Sequence, residues 1–468
     1  MYNWVYPIGG RASTRFVNGS ATEIFNELRL SGSRALYVHI PFCETICTFC
    51  PFVRAKFDGE SIIDKYVAAL LKEIELKARF KRLTDVPIGA IFFGGGTPSV
   101  LQPRHIRQIG QALRNTFDVS TVREFSFEFE VKSITTEKIA ALKEIGVTHA
   151  RFGLQTFSEE YRQLFQLTAT LDQIYAAIDQ LTSAFPCVSC DMLYGMNGQT
   201  EAELVADIEH VCGTKLKNVD FYPVNNLVTQ RKLHRAFRAA NKLPTTGLTK
   251  FYMRLLIREA MRNKGYLPHN GHGWVKVDAD ELNEQAVVTD SYSFVYHEHV
   301  LGYPNHDLLG FGTNAVSSFH NFVISNVSSR DEYMRSLAEG KLKIGVSEHS
   351  EAMDACRPVA LALPYHGSIR KMTVDWPNLP PNTMVGLEEL KKHELIRETE
   401  EELELTHAGW EWYTSLMYFL LPQEEQLAIK GLLRNTLRDS ERDIEPSGLE
   451  YFPLSTALSQ RMEATVAQ

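Results

Sequence analysis

Six short β-rich runs alternating with longer amphipathic stretches across residues 35–228 predict an α/β fold, a partial (β/α)6 TIM-like barrel. A second observation agrees: polar and glycine-rich clusters fall at or just after the C-terminal ends of those runs, where βα loops carry chemistry. A third sets the limits of the barrel. After residue 229 the rhythm stops, so a capping region and a small winged-helix-like C-terminal domain should follow.

The predicted strands are residues 35–40, 88–93, 124–130, 149–154, 188–193 and 219–224. Helices lie between them, for example over 62–79, where Ile62, Tyr66, Val67, Leu70, Leu71, Ile74 and Leu76 recur on one face. Units in series of this kind imply parallel strands joined by right-handed crossovers. The organisation expected is an N-terminal extension (1–34), the barrel (35–228), a capping region (229–380), the winged-helix-like domain (381–433) and a polar tail (434–468). Within the cap, 230–261 reads as helical and 263–290 as polar loop with Gly265, Gly271 and Gly273. Residues 307–316 read as a glycine-punctuated apolar turn.

Acidic residues outnumber basic ones, 57 to 49, for a formal charge of −8 over 468 residues. That balance argues against coating nucleic acid. The winged-helix-like layout does not change this, because Glu400, Glu401, Glu402 and Glu404 put negative charge where phosphates would lie. No apolar run reaches membrane-span length and the start lacks an export signal. A cytoplasmic monomer is expected.

The seven cysteines are odd in number and too few for a disulfide framework. Cys43, Cys47 and Cys50 stand together, directly after the first predicted strand. Thiolates suit zinc or iron–sulfur, but a structural zinc site needs a fourth ligand nearby, and here Phe49 and Phe52 flank the cysteines while His39 lies upstream on the strand. Three thiolates at CxxxCxxC spacing suit a four-iron cluster with one open iron. Cys187 and Cys190 read as ordinary buried thiols.

The run YVHIPFCETICTFC (37–50) resembles the radical SAM superfamily signature, specifically its HemN-like branch related to oxygen-independent coproporphyrinogen III dehydrogenase. The resemblance implies a [4Fe–4S] cluster on Cys43, Cys47 and Cys50. S-adenosylmethionine (SAM) would chelate the fourth iron and be cleaved to a radical that abstracts hydrogen. It also implies SAM contacts from Tyr37 and Phe49, from Gly95, Gly96 and Thr97 in GGGTP, and from Glu128, Gln155, Asp191 and Asn225. Strand alternation would put Glu130 on the same face as Glu128. Residues 307–316 resemble a segment contacting a second SAM, with Val316 at the contact.

Two positions depart from the branch. Leu167 stands where an arginine usually holds a SAM carboxylate, so either Arg162 supplies that charge or SAM is held differently, and Phe52 replaces a cysteine common in the dehydrogenases. CTFCPF is nearer to haem-utilisation radical SAM methyltransferases and related class C methylases. The expected activity is therefore a class C methyltransferase using two SAM molecules on an aromatic or tetrapyrrole substrate, with an electron donor such as flavodoxin or ferredoxin. The rivals are the oxidative decarboxylase, with Arg151, Arg162, Arg231 and Arg235 as carboxylate anchors, and a non-catalytic haem carrier. Tyr37 and His299 are the candidate catalytic residues. His269, His272, His297 and His306, with Tyr292, Tyr296 and Trp274, are further candidates for the substrate pocket.

Overall fold

A computed structural model describes residues 6–7, 15–18, 21–29, 31–50, 55–57, 59–224, 231–279, 282, 288, 294–303 and 305–440. Each of the six β-rich runs forms a strand: β1 Ser33–Ile40, β2 Ile88–Gly95, β3 Glu124–Phe129, β4 His149–Gln155, β5 Cys187–Tyr194 and β6 Asn218–Pro223. They pair in that order, all parallel. The crossovers are helices, including Glu60–Lys77, Pro103–Thr116, Leu171–Ala184 and Glu201–Cys212. Leu171–Ala184 and Glu201–Cys212 start from capping boxes, Thr170 with Gln173 and Thr200 with Glu203, which satisfy the first free N–H groups. Helix Glu60–Lys77 buries Ile63, Tyr66, Val67, Leu70 and Ile74 against the sheet, each such side chain contributing roughly 1.5–3 kcal/mol.

The sheet is larger than the six-strand reading. His306–Phe311 lies parallel beside β1, and Val316–Phe319, Phe322–Asn326, Lys343–Glu348 and Arg15–Asn18 extend that edge antiparallel. On the other edge Gly273–Lys276 pairs antiparallel with β6 and Tyr266–Pro268 pairs beyond it, giving thirteen strands. The segment 263–290 is therefore not simply loop. Segment 307–316 begins as a strand, and its turn is confined to 312–315. These strands are short and interrupted by glycine, so they carry too few alternating positions to be read from pattern. The stretch 230–261 splits into helices Arg231–Ala239 and Gly247–Asn263, separated near Pro244, which cannot continue the hydrogen-bond ladder.

A second hydrophobic core, built on Leu361, Leu363, Leu390, Leu416 and Phe419, holds the C-terminal part together. Its three-stranded sheet runs Ser368–Arg370, Glu402–Leu405, Ile396–Glu398. The last described helix, Gln423–Ser440, runs across the 433/434 boundary. Among the described residues no helix is long and apolar enough to cross a membrane.

Candidate active site

The cysteine loop leaves β1 at its C-terminal end. Cys43 is buried in the two-residue strand Phe42–Cys43, while Cys47 and Cys50 are half-buried. None of the cysteines is in a disulfide, and among the described residues no three His, Cys, Asp or Glu side chains converge as a single-ion site. Two contacts anchor the loop. The Thr48 hydroxyl donates to the Leu164 carbonyl at 2.9 Å and its N–H to Phe165 at 3.2 Å, while the Phe49 ring packs 5.0 Å from Phe165. Leu167 belongs to the same apolar cluster.

The glycine triplet at the end of β2 presses against this loop. The Gly96 N–H donates to the Ile40 carbonyl at 2.7 Å. A Cβ on Gly96 would meet Pro41 C at 2.7 Å and the Phe42 carbonyl oxygen at 2.8 Å, so only glycine fits. Gly95 has φ +111 and lies against the His39 ring. The Thr97 hydroxyl reaches Cys43 Sγ at 3.4 Å. Thr97 thus meets the first cysteine at the strand ends, while Gly95 and Gly96 lie against the residues that lead into it.

Period two along β3 sends Phe125, Phe127 and Phe129 into the core under the helices and Glu124, Ser126 and Glu128 into the lumen. Glu130 does not join them. The strand ends at Phe129, and the Glu130 carboxylate instead accepts the Lys132 N–H at 3.0 Å. Burial raises the Glu128 carboxyl to about 8, with Asp191 adding repulsion, while Arg151 and the Gly95 N–H oppose. Asp191, on β5 beside Asp220 on β6, is also raised, by burial and then by Asp220. Arg151, on β4, forms a buried ion pair with Asp220 and lies 3.8 Å over the Phe294 ring. Tyr37 faces the same space. Its hydroxyl is 3.0 Å from His39 Nδ1, and its ring lies 6.3 Å from both Phe92 and Tyr296. Burial, and then Glu128, hold that phenol protonated.

Residues 37–211 match the profile of the radical SAM superfamily. The chain is similar to anaerobilin synthase of Escherichia coli O157:H7, 26% identical over 320 residues covering 68% of each chain. It is also similar to the heme chaperone HemW of Lactococcus lactis subsp. lactis (strain IL1403), 30% identical over 194 residues, 41% of this chain and 49% of that one. The solved coproporphyrinogen III oxidase (HemN) of Escherichia coli superposes with a TM-score of 0.72 at 21% identity, over 87% of this chain and 94% of that one. Residues 37–211 are a radical SAM domain, and the chain resembles the HemN-like branch. Its cofactors are a [4Fe–4S] cluster and SAM.

The residues present fit that pair of cofactors. Three thiols at this spacing, with no fourth ligand grouped with them among the described residues, would leave one iron open to an outside chelate. Gln155 ends β4 at a bulge with φ +76, and its buried Oε1 has no hydrogen-bond partner among the described residues, an acceptor suited to an outside donor. Val316 lies across from Gly310, which in turn pairs with Tyr37, so the segment 307–316 borders the same lumen edge.

Other expected residues are not brought here. His299 sits at the opposite end of the barrel: its Nε2 is 2.9 Å from Ser33 Oγ at the foot of β1, and its ring meets His306 edge-on. The reason is topological, because helix Tyr296–Val300 enters the lumen from below the strands. Arg162 cannot replace the missing arginine, since its guanidinium donates to the carbonyls of Leu154, Thr156 and Ala169. Trp274 packs in the main core. Asn225, Phe52 and Tyr292 lie outside the described residues, as does the Arg231 side chain.

Sequence reasoning missed the Arg151–Asp220 pair as a lumen feature, along with Glu124 and Tyr365. Alternation along β6 (NVDFYP) would have pointed Asp220 and Tyr222 inward. His269 and His272 join Tyr222, Tyr365 and Tyr413 on the cap side, with His272 3.1 Å from the Tyr413 hydroxyl. Burial pushes both imidazoles down to about 3, so they are neutral.

Proposed function

We propose that this chain is a radical SAM C-methyltransferase that uses two SAM molecules and adds a methyl-derived carbon to an sp2 carbon of a tetrapyrrole or similar conjugated substrate. The observation that carries this reading is the charge of the lumen. Glu124, Glu128, Asp191 and Asp220 line it, and the one guanidinium among its described strand residues, Arg151, is already paired with Asp220. Such a lining ionises beside the sulfonium and ammonium of SAM and offers the carboxylates of a porphyrinogen no attraction.

When bound, the cluster and SAM supply a carbon-centred radical for hydrogen-atom abstraction. The chain's own residues bind, orient and exclude water. The Gly95–Thr97 backbone and Glu128 offer a donor and an acceptor side by side for an amino acid group. Gln155 adds an unpaired carbonyl. The Tyr37, Phe92 and Tyr296 rings, the last two stacked 4.7 Å apart, form an apolar wall for a flat conjugated ring. His269 and His272, neutral on the cap side, offer ring nitrogens for hydrogen bonds to the substrate rather than charge. The similarity to a protein named for making anaerobilin favours a tetrapyrrole over an unrelated aromatic ring.

The test uses SAM deuterated in its methyl group with dithionite as reductant. The reading expects one deuterium in 5′-deoxyadenosine, S-adenosylhomocysteine in step with product, and a deuterated one-carbon gain on the substrate. Unlabelled 5′-deoxyadenosine with carbon dioxide release would refute it in favour of oxidative decarboxylation. Haem binding with no 5′-deoxyadenosine would refute it in favour of a carrier.

A further inference from the structure

A groove of about 590 Å³ opens on the outer face of the barrel beside the cysteine loop, lined by Thr48, Gln163, Leu164, Gln166, Lys232, Arg235, Ala236 and Ala240 together with Glu160. Thr48 is the residue between Cys47 and Phe49, so part of the groove's wall is the cluster-binding loop itself. Lys232 and Arg235 are exposed and three residues apart on helix Arg231–Ala239, and therefore project from one face. The acid in the lining, Glu160, is neutralised by Lys242 at 2.7 Å. The result is a cationic, amide-rimmed groove on a chain whose formal charge is −8.

Position gives this local reversal its meaning. Cys43 is only 6% exposed and faces inward with the glycine triplet, whereas Cys47 and Cys50 are half-buried. A protein-sized reductant cannot enter the lumen, so an electron must arrive from outside, through the stretch of loop that the groove borders. We infer that this groove docks an acidic one-electron carrier protein, with Lys232 and Arg235 engaging its carboxylates next to the Cys47–Cys50 turn. The inference rests on the radical SAM reading above. In the transfer one electron leaves the reduced carrier, which is oxidised by one equivalent, and reduces the cluster by one equivalent; no atom is exchanged.

The experiment uses the reconstituted full chain and reduced flavodoxin as probe. Flavodoxin affinity is measured by flavin fluorescence, and cluster reduction is followed by bleaching, with flavodoxin and separately with dithionite. Lys232→Glu/Arg235→Glu should weaken flavodoxin binding by more than about tenfold at low salt, and the gap should close as salt rises. Dithionite bleaching should be unchanged. Lys341→Glu/Lys392→Glu, an equal charge change at side chains 63% and 70% exposed elsewhere, should bind like wild type. Wild-type affinity in the groove variant overturns the inference, as does an equal loss in both double variants or a parallel loss of dithionite bleaching. Normal docking with no methyl transfer would instead sink the proposed function alone.

Discussion

Glu128→Gln tests the lumen charge most directly. The Glu128 carboxyl sits at about 8 against an ordinary 4.5. Between those values the unfolded chain carries the charge and the folded chain holds the proton. The folded state binds more protons there, so stability falls as pH rises from 4.5 towards 8, by about 1.4 kcal/mol per pH unit. At pH 7.5 the three units amount to a ceiling of about 4 kcal/mol, from which any solvent reaching the half-buried side chain subtracts. Glutamine removes the titration and keeps an oxygen to accept the Gly95 N–H. Urea unfolding of the SAM-free protein should show the variant equal to wild type near pH 4.5 and progressively more stable up to pH 8.

A second arm concerns the ligand. Bound SAM brings positive charge to a carboxyl that is protonated at neutral pH, so binding should expel close to one proton, visible by calorimetry in buffers of different ionisation heat. The variant should release fewer protons and bind SAM about ten- to hundredfold more weakly, the worth of a charged hydrogen bond. A stability gain that is flat from pH 4.5 to 8, or unchanged proton release, would refute the assignment of Glu128 as a buried, ligand-facing acid.

Three further outcomes follow from the geometry. Gly96→Ala should lower iron content after reconstitution, because its Cβ meets backbone of the cysteine loop at 2.7–2.9 Å; normal iron loading would show that the loop yields. Glu73→Ala should cost about 3–5 kcal/mol in denaturation, because it strands the buried Lys77 charge. Glu73 also accepts from the Gly312 N–H, Asn326 and Tyr333, so the same variant should raise KM for SAM more than it lowers kcat. His299→Ala should leave SAM cleavage within about twofold of wild type, consistent with its place at the foot of β1; a larger loss would return it to the chemistry.

What could be read beforehand was what is local in sequence. The CxxxCxxC run, the glycine triplet and the period-two face of β3 are each set within a few residues, and the structure brings them to one end of the barrel. Glu130 failed because alternation holds only while a strand continues, and a turn begins at Val131. His299 failed because a density of histidines does not say at which end of a barrel their helix enters. Arg162 failed because its partners are carbonyls in the segments before and after its own helix, a contact no residue pattern announces. The Arg151–Asp220 pair, 69 residues apart, is aligned only by the register of β4, β5 and β6.

The lumen is costly to build without a ligand. Glu128 and Asp191 repel each other in a dry space, with the nearest guanidinium committed to Asp220. A cation placed between them reverses the sign of that repulsion and lets both carboxyls ionise. In the proposed reaction this has a consequence for turnover. SAM carries a sulfonium, whereas S-adenosylhomocysteine is a neutral thioether of nearly the same shape. The spent molecule keeps its hydrogen bonds and its ammonium but loses the sulfonium's share of the attraction, so acids that draw the sulfonium in also favour its replacement after methyl transfer. The preference for SAM over S-adenosylhomocysteine should therefore widen as pH rises through about 8 and shrink in Glu128→Gln. A preference that does not change with pH would mean that shape, not charge, selects the cofactor.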